Sequence, residues 1–272
     1  QLTENVEQKE EVFDGMGMPQ SLLLEDISQN SSNTRVTANL TYSMDNGDQL
    51  NLNGQYQKNR FWTPTSGTSF SYDPVLGYVS GGNNLRDFDS RRPSWEFGAD
   101  YGTDLGDKTS FKIIGLYGTN HQKFDQSEDY LVEASEPLPN FIFNFDREAS
   151  ETIIRPSISY KLNDSMEIEF GDELAFNNVT TKLGLSSLAG GVLETQDLSG
   201  SDVTVKEKRS ETFINYTWKI NNKWNLESSL TYEYSRISQH AVGGVTAKTF
   251  QYVKPTLDIR YQVSPRDQLQ FS

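Results

Sequence analysis

Hydrophobic residues recur at every second position over five long stretches. In the first, Val36, Ala38, Leu40, Tyr42 and Met44 alternate with Arg35, Thr37, Asn39, Thr41 and Ser43. Period two is the mark of a strand with one apolar and one polar face. Asp45-Asn46-Gly47-Asp48 then turns the chain, and Leu50, Leu52, Gly54 and Tyr56 return against Asn51, Asn53, Gln55 and Gln57. Asn-Gly between alternating segments predicts a β-hairpin. Four further units repeat the pattern. Trp95–Tyr101 and Phe111–Tyr117 flank a turn near Gly106-Asp107. Ile154–Leu162 and Met166–Phe170 flank Asn163-Asp164. Ile214–Ile220 and Trp224–Tyr232 flank Asn221-Asn222. Val253–Val263 runs into Ser264-Pro265.

The predicted strands are about 10–15 residues long, more than soluble sheets usually need. A membrane strand needs about 9–11. Tyr42, Tyr101, Tyr160, Trp218 and Tyr261 each stand three residues before a turn residue: Asp45, Asp104, Asn163, Asn221 and Ser264. A Tyr or Trp at one fixed height above every tight turn is expected of an aromatic girdle at a membrane–water boundary. The opposite ends of the hairpins read as long polar loops, at about 62–92, 121–150, 178–208 and 238–249. Short turns on one side and long loops on the other are outer-membrane barrel anatomy. The expected fold is therefore all-β, an antiparallel up-and-down transmembrane β-barrel wall of about ten strands. The expected division is a lead-in over 1–33, loop or partial strand, and a partial barrel domain of five hairpins over 34–272. Ser21–Asp26 reads as a short helix or the end of an earlier strand.

Composition agrees with a wall that has one apolar face. Hydrophobic residues make up 35% of the 272, which is few for a soluble core, yet they are highly ordered along the chain. Disorder is the other reading of such a composition; 12% aromatics and regular alternation argue against it. With no cysteine, disulfide frameworks and Cys-based metal or redox sites are excluded. No apolar run is long enough for a transmembrane helix. No leader is visible at Gln1, so an export signal is expected upstream or already removed. A net charge of −14 argues against a nucleic-acid partner.

Candidate chemistry is sparse. His121 and His240 lie beyond strand ends, as metal or heme ligands or as solvated residues. Asp125, Glu128, Asp129, Glu133 and Glu136 are an acidic cluster without the ordered spacing and Gly of a calcium loop. Phe61, Trp62, Phe70, Tyr72 and Tyr78 offer stacking surface for a ligand, and Arg91 and Arg92 offer charge for an anionic ligand or a lipid phosphate. No nucleophile–His–carboxylate constellation is present, so no enzyme is expected, and no cofactor.

The stretch Thr204–Lys219, continued by Trp224–Ser235, resembles the barrel of TonB-dependent receptors of Gram-negative bacteria. So do Val253–Tyr261 and Phe111–Tyr117. The resemblance covers roughly residues 34–272. It implies a location in the bacterial outer membrane and a barrel of 22 strands around a plug domain. It also implies uptake of a scarce siderophore, vitamin or glycan ligand, powered by TonB acting through that plug. Neither a plug nor a TonB box is identified in this chain, so it is expected to form an internal part of the barrel in contact with outer-membrane lipid. A passive porin and a soluble β-repeat adhesin are the competing expectations.

Overall fold

In the computed structural model, residues 2–131, 138–198 and 200–272 are described. They form thirteen strands: β1 (Leu2–Phe13), β2 (Pro19–Ser43), β3 (Gln49–Trp62), β4 (Thr65–Asp73), β5 (Gly77–Asp104), β6 (Thr109–Leu131), β7 (Leu138–Asn163), β8 (Met166–Ala189), β9 (Val192–Thr195), β10 (Asp202–Lys219), β11 (Trp224–Ala241), β12 (Gly244–Gln262) and β13 (Gln268–Phe271). All belong to one antiparallel sheet, with the main path following chain order. Short β4 bridges β2 and β5, and β9 pairs with β8. No helix in the described residues is long and apolar enough to cross a membrane. The fold is all-β, in the up-and-down arrangement of a barrel wall.

The alternating stretches are the lower halves of these strands. The turns between them are tight. Gly47, at φ 91°, supplies the left-handed conformation that an Asn-Gly hairpin requires. The upper halves correct the sequence reading. Segments 62–92, 121–150, 178–208 and 238–249 are largely strand rather than long loops: β5 has 28 residues, β7 has 26 and β2 has 25. The cause is physical. Above the apolar band both faces are wetted, so the alternation that marks a strand disappears while the backbone ladder continues. Residues 2–33 likewise build β1 and the upper half of β2, and Ser21–Asp26 is strand. β3 and β4 follow one edge of β2 in succession, interrupted at Thr63-Pro64, where proline has no N–H to donate.

Register gives the strand tilt. One cross-strand row runs Tyr42–Leu50–Tyr101–Ile113–Pro156. Across the short break in β7–β8 pairing at Pro156, the same register carries it through Asp172, Thr212 and Tyr232 to Val253. Val253 stands eight residues before Tyr261 on β12, and eight strand-to-strand steps separate β2 from β12. At about 3.3 Å per residue and about 4.8 Å per strand, one residue of stagger per strand is a tilt of roughly 35°. That is the tilt of a membrane barrel.

The usual burial pattern is inverted. Leu40 is 59% exposed, Phe170 52% and Leu257 52%, while Glu25 is 6% exposed and Ser235 2%. Apolar positions point outward. Inward side chains converge, and they are mostly polar. Glu173, Glu211 and Glu233 stand in one inner row across β8, β10 and β11. Arg209 bridges Glu173 (3.2 Å) and Glu211 (3.5 Å), Lys254 reaches Glu211 (3.3 Å) and Glu233, and Arg155 closes the β7 side at 3.8 Å from Glu173. Arg155 also covers the Phe213 ring at 4.5 Å. That ring fills a notch left by Gly171, where an added Cβ would lie 2.4 Å from Phe213 and 2.8 Å from the Pro156 carbonyl oxygen.

Gly171→Ala is expected to destabilise the folded wall by about 1–3 kcal/mol. Gly115→Ala, whose Cβ would meet only the Ala99 carbonyl oxygen at 4.0 Å, should be near neutral. Urea titration of both variants in detergent measures the difference. Spin labels at Leu40, Ile158 and Leu257 are expected to be relaxed by a bilayer-dissolved agent, and labels at Asn39, Ser159 and Asp258 by a water-soluble one.

Candidate functional site

The strand surplus above the band forms the walls of an outer mouth, and there the apolar side of the sheet changes face. On β7, Ile154 and Ile158 point outward, but Phe141, Phe143 and Phe145 have the opposite parity and point inward. Phe124 of β6, Phe88 of β5 and Phe61 of β3 share that face. The rings make a continuous chain. Phe61–Phe88 centroids are 6.1 Å apart, Phe88–Phe124 5.5 Å, Phe124–Phe145 4.8 Å, Phe124–Phe143 5.6 Å and Phe141–Phe143 6.5 Å. Register explains the assembly: Phe61 is opposite Ser90, Ser90 opposite Phe124, and Phe124 opposite Phe145. Six phenylalanines on an inner wall, five half-buried and Phe61 exposed, are otherwise out of place among polar neighbours. They form an apolar, polarisable shelf suited to stacking.

Beside the shelf lies a cleft of about 510 Å³, lined by Phe61, Phe88, Arg86, Glu25 and Gln126 among others. Glu25 of β2 is paired with Arg86 of β5 across β4. Gly67 on β4 makes the crossing possible; an added Cβ would lie 3.6 Å from the Glu25 carboxylate and 2.2 Å from Asn84 Oδ1. A second cleft, of about 380 Å³, joins Phe61 and Phe88 to Arg92, Asn33 and Asn59. The mouth therefore offers rings, a cation and amides close together.

The structure divides the residues singled out from sequence. Arg91 and Arg92 face opposite sides of β5, Arg91 outward and Arg92 toward the second cleft. Trp62 is outward, beneath the Arg60 guanidinium at 4.7 Å. Phe70 stands opposite Leu22 on β4. Tyr72 and Tyr78 come together at the β4–β5 tip, ring centroids 5.4 Å apart. Of that set, Phe61 and Arg92 reach the clefts beside the shelf. Phe88, Phe124, Phe141, Phe143 and Phe145 were missed, although the reversed parity of 141, 143 and 145 against 154 and 158 is a signal in the sequence itself.

The remaining candidates are dispersed. His121 and His240 share a row but are separated by Glu148, Thr180 and Thr204 on three intervening strands. His121 Nε2 lies 2.8 Å from Asp146 Oδ1, and with Glu148 these groups offer ligand atoms within 4.8 Å of one another, enough to hold a cation on the outer face. Asp125, Glu128 and Asp129 lie on β6; Glu133 and Glu136 lie outside the described residues. The five residues expected to form a girdle flank the tight turns. The Tyr101 hydroxyl donates to Asp48, and the Trp224 and Tyr261 rings lie 4.5 Å apart.

At the tips, the Tyr78 hydroxyl donates to the Glu11 carboxylate, which also meets Lys9 at 3.2 Å. That hydrogen bond, and then Lys9, lowers the Glu11 pKa. The same bond pushes the Tyr78 phenol up to about 12, because ionisation would set two negative groups together. The backbone N–H groups of Leu76 and Val75 similarly hold Asp73 below the ordinary carboxylate value.

The model of the outer membrane protein beta-barrel family matches residues 102–272. No curated protein sequence matches the chain. Among solved structures, the siderophore receptor PiuA from Acinetobacter baumannii is similar over 96% of this chain and 47% of its own, with a TM-score of 0.50 and 8% identity. The unliganded ferric citrate transporter FecA is similar over 98% and 43%, with a TM-score of 0.48 and 13% identity. The chain thus spans about half the length of these structures.

A difference absorbance titration of the protein against Tyr78→Phe should show one phenol with a midpoint of about 12. The Tyr78–Glu11 contact is present while Tyr78 is protonated, and it is lost as pH rises through that value.

Proposed function

The chain belongs to the outer membrane protein beta-barrel family and so resides in the bacterial outer membrane; from that premise we propose that it forms part of the barrel wall of a TonB-dependent receptor. The receptor captures a scarce ligand of siderophore, vitamin or glycan type. The observation that carries this reading is the phenylalanine shelf on the inner wall of the mouth. A channel for water and ions gains nothing from apolar rings there, since they cost solvation without aiding flow. A receptor gains a stacking surface, and Arg92 and the paired Arg86 lie beside it for charged groups on the ligand. PiuA, whose fold extends over nearly all of this chain, is a siderophore receptor, which favours the same class.

In this reading the tall hairpins first meet the ligand outside the membrane. The shelf holds its flat or apolar portion by ring contact while the cleft residues satisfy its polar groups. Below the mouth, the inner wall of paired Glu, Arg and Lys is hydrated and encloses a plug contributed by another part of the protein. TonB acts on that plug to open the path. No chemistry is performed on the ligand. The outward residues Tyr42, Tyr101, Tyr160, Trp218 and Tyr261 hold the wall at the inner boundary of the bilayer.

A deletion strain is expected to grow poorly when iron chelate, cobalamin or a glycan is the limiting nutrient, and on one of the three rather than all. The wild-type gene should restore growth, but not in a TonB-deficient strain. Phe88→Asp combined with Phe124→Asp should leave the barrel folded, with ligand affinity down about 10–100-fold, of the order of 1.4–2.7 kcal/mol. Restoration without TonB, or by the double variant at full strength, overturns the proposal.

A further inference from the structure

Directly below the phenylalanine shelf, two strands present the same inward pattern of an arginine, a small residue and a glutamate. On β5 these are Arg92, Ser94 and Glu96, and on β7 they are Arg147, Ala149 and Glu151. β6 runs between them in the opposite direction and supplies Gln122, Asn120 and Gly118 at the matching heights. Three tiers result. In the lowest, Gly118 is opposite Glu96 on one side and Glu151 on the other. In the middle, Asn120 is opposite Ser94 and Ala149. In the highest, Gln122 is opposite Arg147, and the register continued across the break at Pro93 sets Arg92 on its other side. The next inward tier is the shelf itself, with Phe124 opposite Ser90 and Phe145.

The small residues of the middle tier leave a cleft of about 430 Å³, lined by Gln55, Ser94, Glu96, Asn120, Ala149 and Glu151 among others. Its charges depart from the pairing seen elsewhere on the inner wall. Arg86, Arg155, Arg209 and Arg260 each meet a glutamate. Among the described residues, Arg92, Arg147, Glu96 and Glu151 enter no ion pair. Neighbouring charges are already engaged. Arg35 donates to Gln57 at 2.8 Å, and Glu207 accepts from Asn177 at 3.0 Å and Ser235 at 2.8 Å. Within a tier the like charges stand two strands apart, roughly 10 Å. Along each strand, four residues, about 13 Å, separate the guanidinium tier from the carboxylate tier. The wall thus holds a pair of anions and a pair of cations at a fixed spacing, open to the lumen.

We propose that this cleft binds a short extended peptide, its ammonium between Glu96 and Glu151 and its carboxylate between Arg92 and Arg147. An extended chain advances about 3.3–3.6 Å per residue, so about four residues span the tiers. Gly118 has no side chain and leaves room for the ammonium between the two glutamates. The arginines offer paired N–H groups to a carboxylate. Asn120 and Gln122 stand between the ends, and each can donate to and accept from peptide groups. The side chain of the last residue comes level with Phe124 and Phe145. A purely anionic ligand would meet the two glutamates unfavourably, and a neutral one would use neither charged tier. The inference rests on the reading of this wall as part of a receptor and narrows the chemistry of what it takes. The peptide is either the cargo itself or the backbone of a siderophore.

The test is a calorimetric titration of the purified protein in detergent with a tetrapeptide of three alanines followed by phenylalanine. The free peptide is compared with its N-acetylated and C-amidated forms, and each block is expected to weaken binding at least tenfold. Glu96→Gln with Glu151→Gln should erase the effect of acetylation and keep that of amidation. Arg92→Gln with Arg147→Gln should do the reverse. Gly118→Leu, whose Cβ would meet only the Trp95 carbonyl oxygen at 3.8 Å, should fill the space between the glutamates and weaken the free peptide at least tenfold in a folded wall. Equal binding of free and blocked peptides by the unaltered protein, or no binding, overturns the proposal without recourse to any variant. So do both preferences surviving in either glutamine pair. None of these results touches the receptor reading, which is decided by TonB-dependent growth. Growth of a deletion strain also separates the two sources. Loss on the tetrapeptide as nitrogen source identifies free peptide, and loss on iron carried by a peptide hydroxamate identifies a siderophore; undiminished growth on both overturns the proposal.

Discussion

Hydrocarbon offers no hydrogen-bond partner to a peptide N–H or C=O, and each group left unpaired there costs several kcal/mol. The rest of the structure follows from meeting that demand with strands alone. Between the tight turns and the top of the apolar band, adjacent strands from β2 to β12 stay paired along the main path, with short breaks at Pro93 and Pro156. Once the sheet satisfies the backbone, side chains on its outer face have only to be apolar, so 35% hydrophobic residues suffice in a chain that builds no ordinary core. Two hydrophobic residues, Ala175 and Phe213, are buried among those described, and both point inward.

The inner face solves a different problem. Three glutamates in one row repel one another, and Arg155, Arg209 and Lys254 offset that repulsion by interleaving from neighbouring strands. Each cation serves more than one of these partners or, like Arg155, also covers a ring. Ordering a side chain once for two contacts costs less conformational entropy than ordering two side chains for two separate pairs. The network thus ties β7, β8, β10, β11 and β12 laterally at the height where the outer face gives only non-directional contact with lipid. Gly171 belongs to the same arrangement: its missing side chain lets Phe213 lie flat beneath Arg155.

What could be read from the sequence was what the bilayer imposes. Val36 to Met44 and Ile154 to Leu162 alternate because one side meets lipid and the other water, and the hairpins built from them were legible residue by residue. Above the band that contrast ends. Residues such as Asn83, Asn84, Ser127 and Thr180 lie in strands whose two faces are both wet, so period two vanishes from composition while persisting in the backbone, and polar strand is indistinguishable from polar loop. Thr63-Pro64 deepened the ambiguity, since proline in a polar stretch reads as a loop although it interrupts β3 and β4 only briefly. The site was less legible than the fold for a related reason. Nearness in sequence grouped Phe61 with Trp62 and Arg91 with Arg92, yet adjacent strand residues point to opposite faces; the proper neighbours of Phe61 are Phe88 and Phe124, contributed by other strands.

Parity therefore carries more information than hydrophobicity alone. An apolar residue at outward parity low on a strand answers to lipid and calls for no partner. The same residue at inward parity high on a strand faces water, and six of them in ring contact cannot be accounted for by the demands of the bilayer. Charge follows local pairing on either face: inward Arg209 and Lys254 meet carboxylates one strand away, and outward Arg60 and Arg91 share Asp89. The inward phenylalanines, by contrast, lie at or beyond the upper limit of the apolar band, where constraint by lipid gives way to contact with molecules arriving from outside.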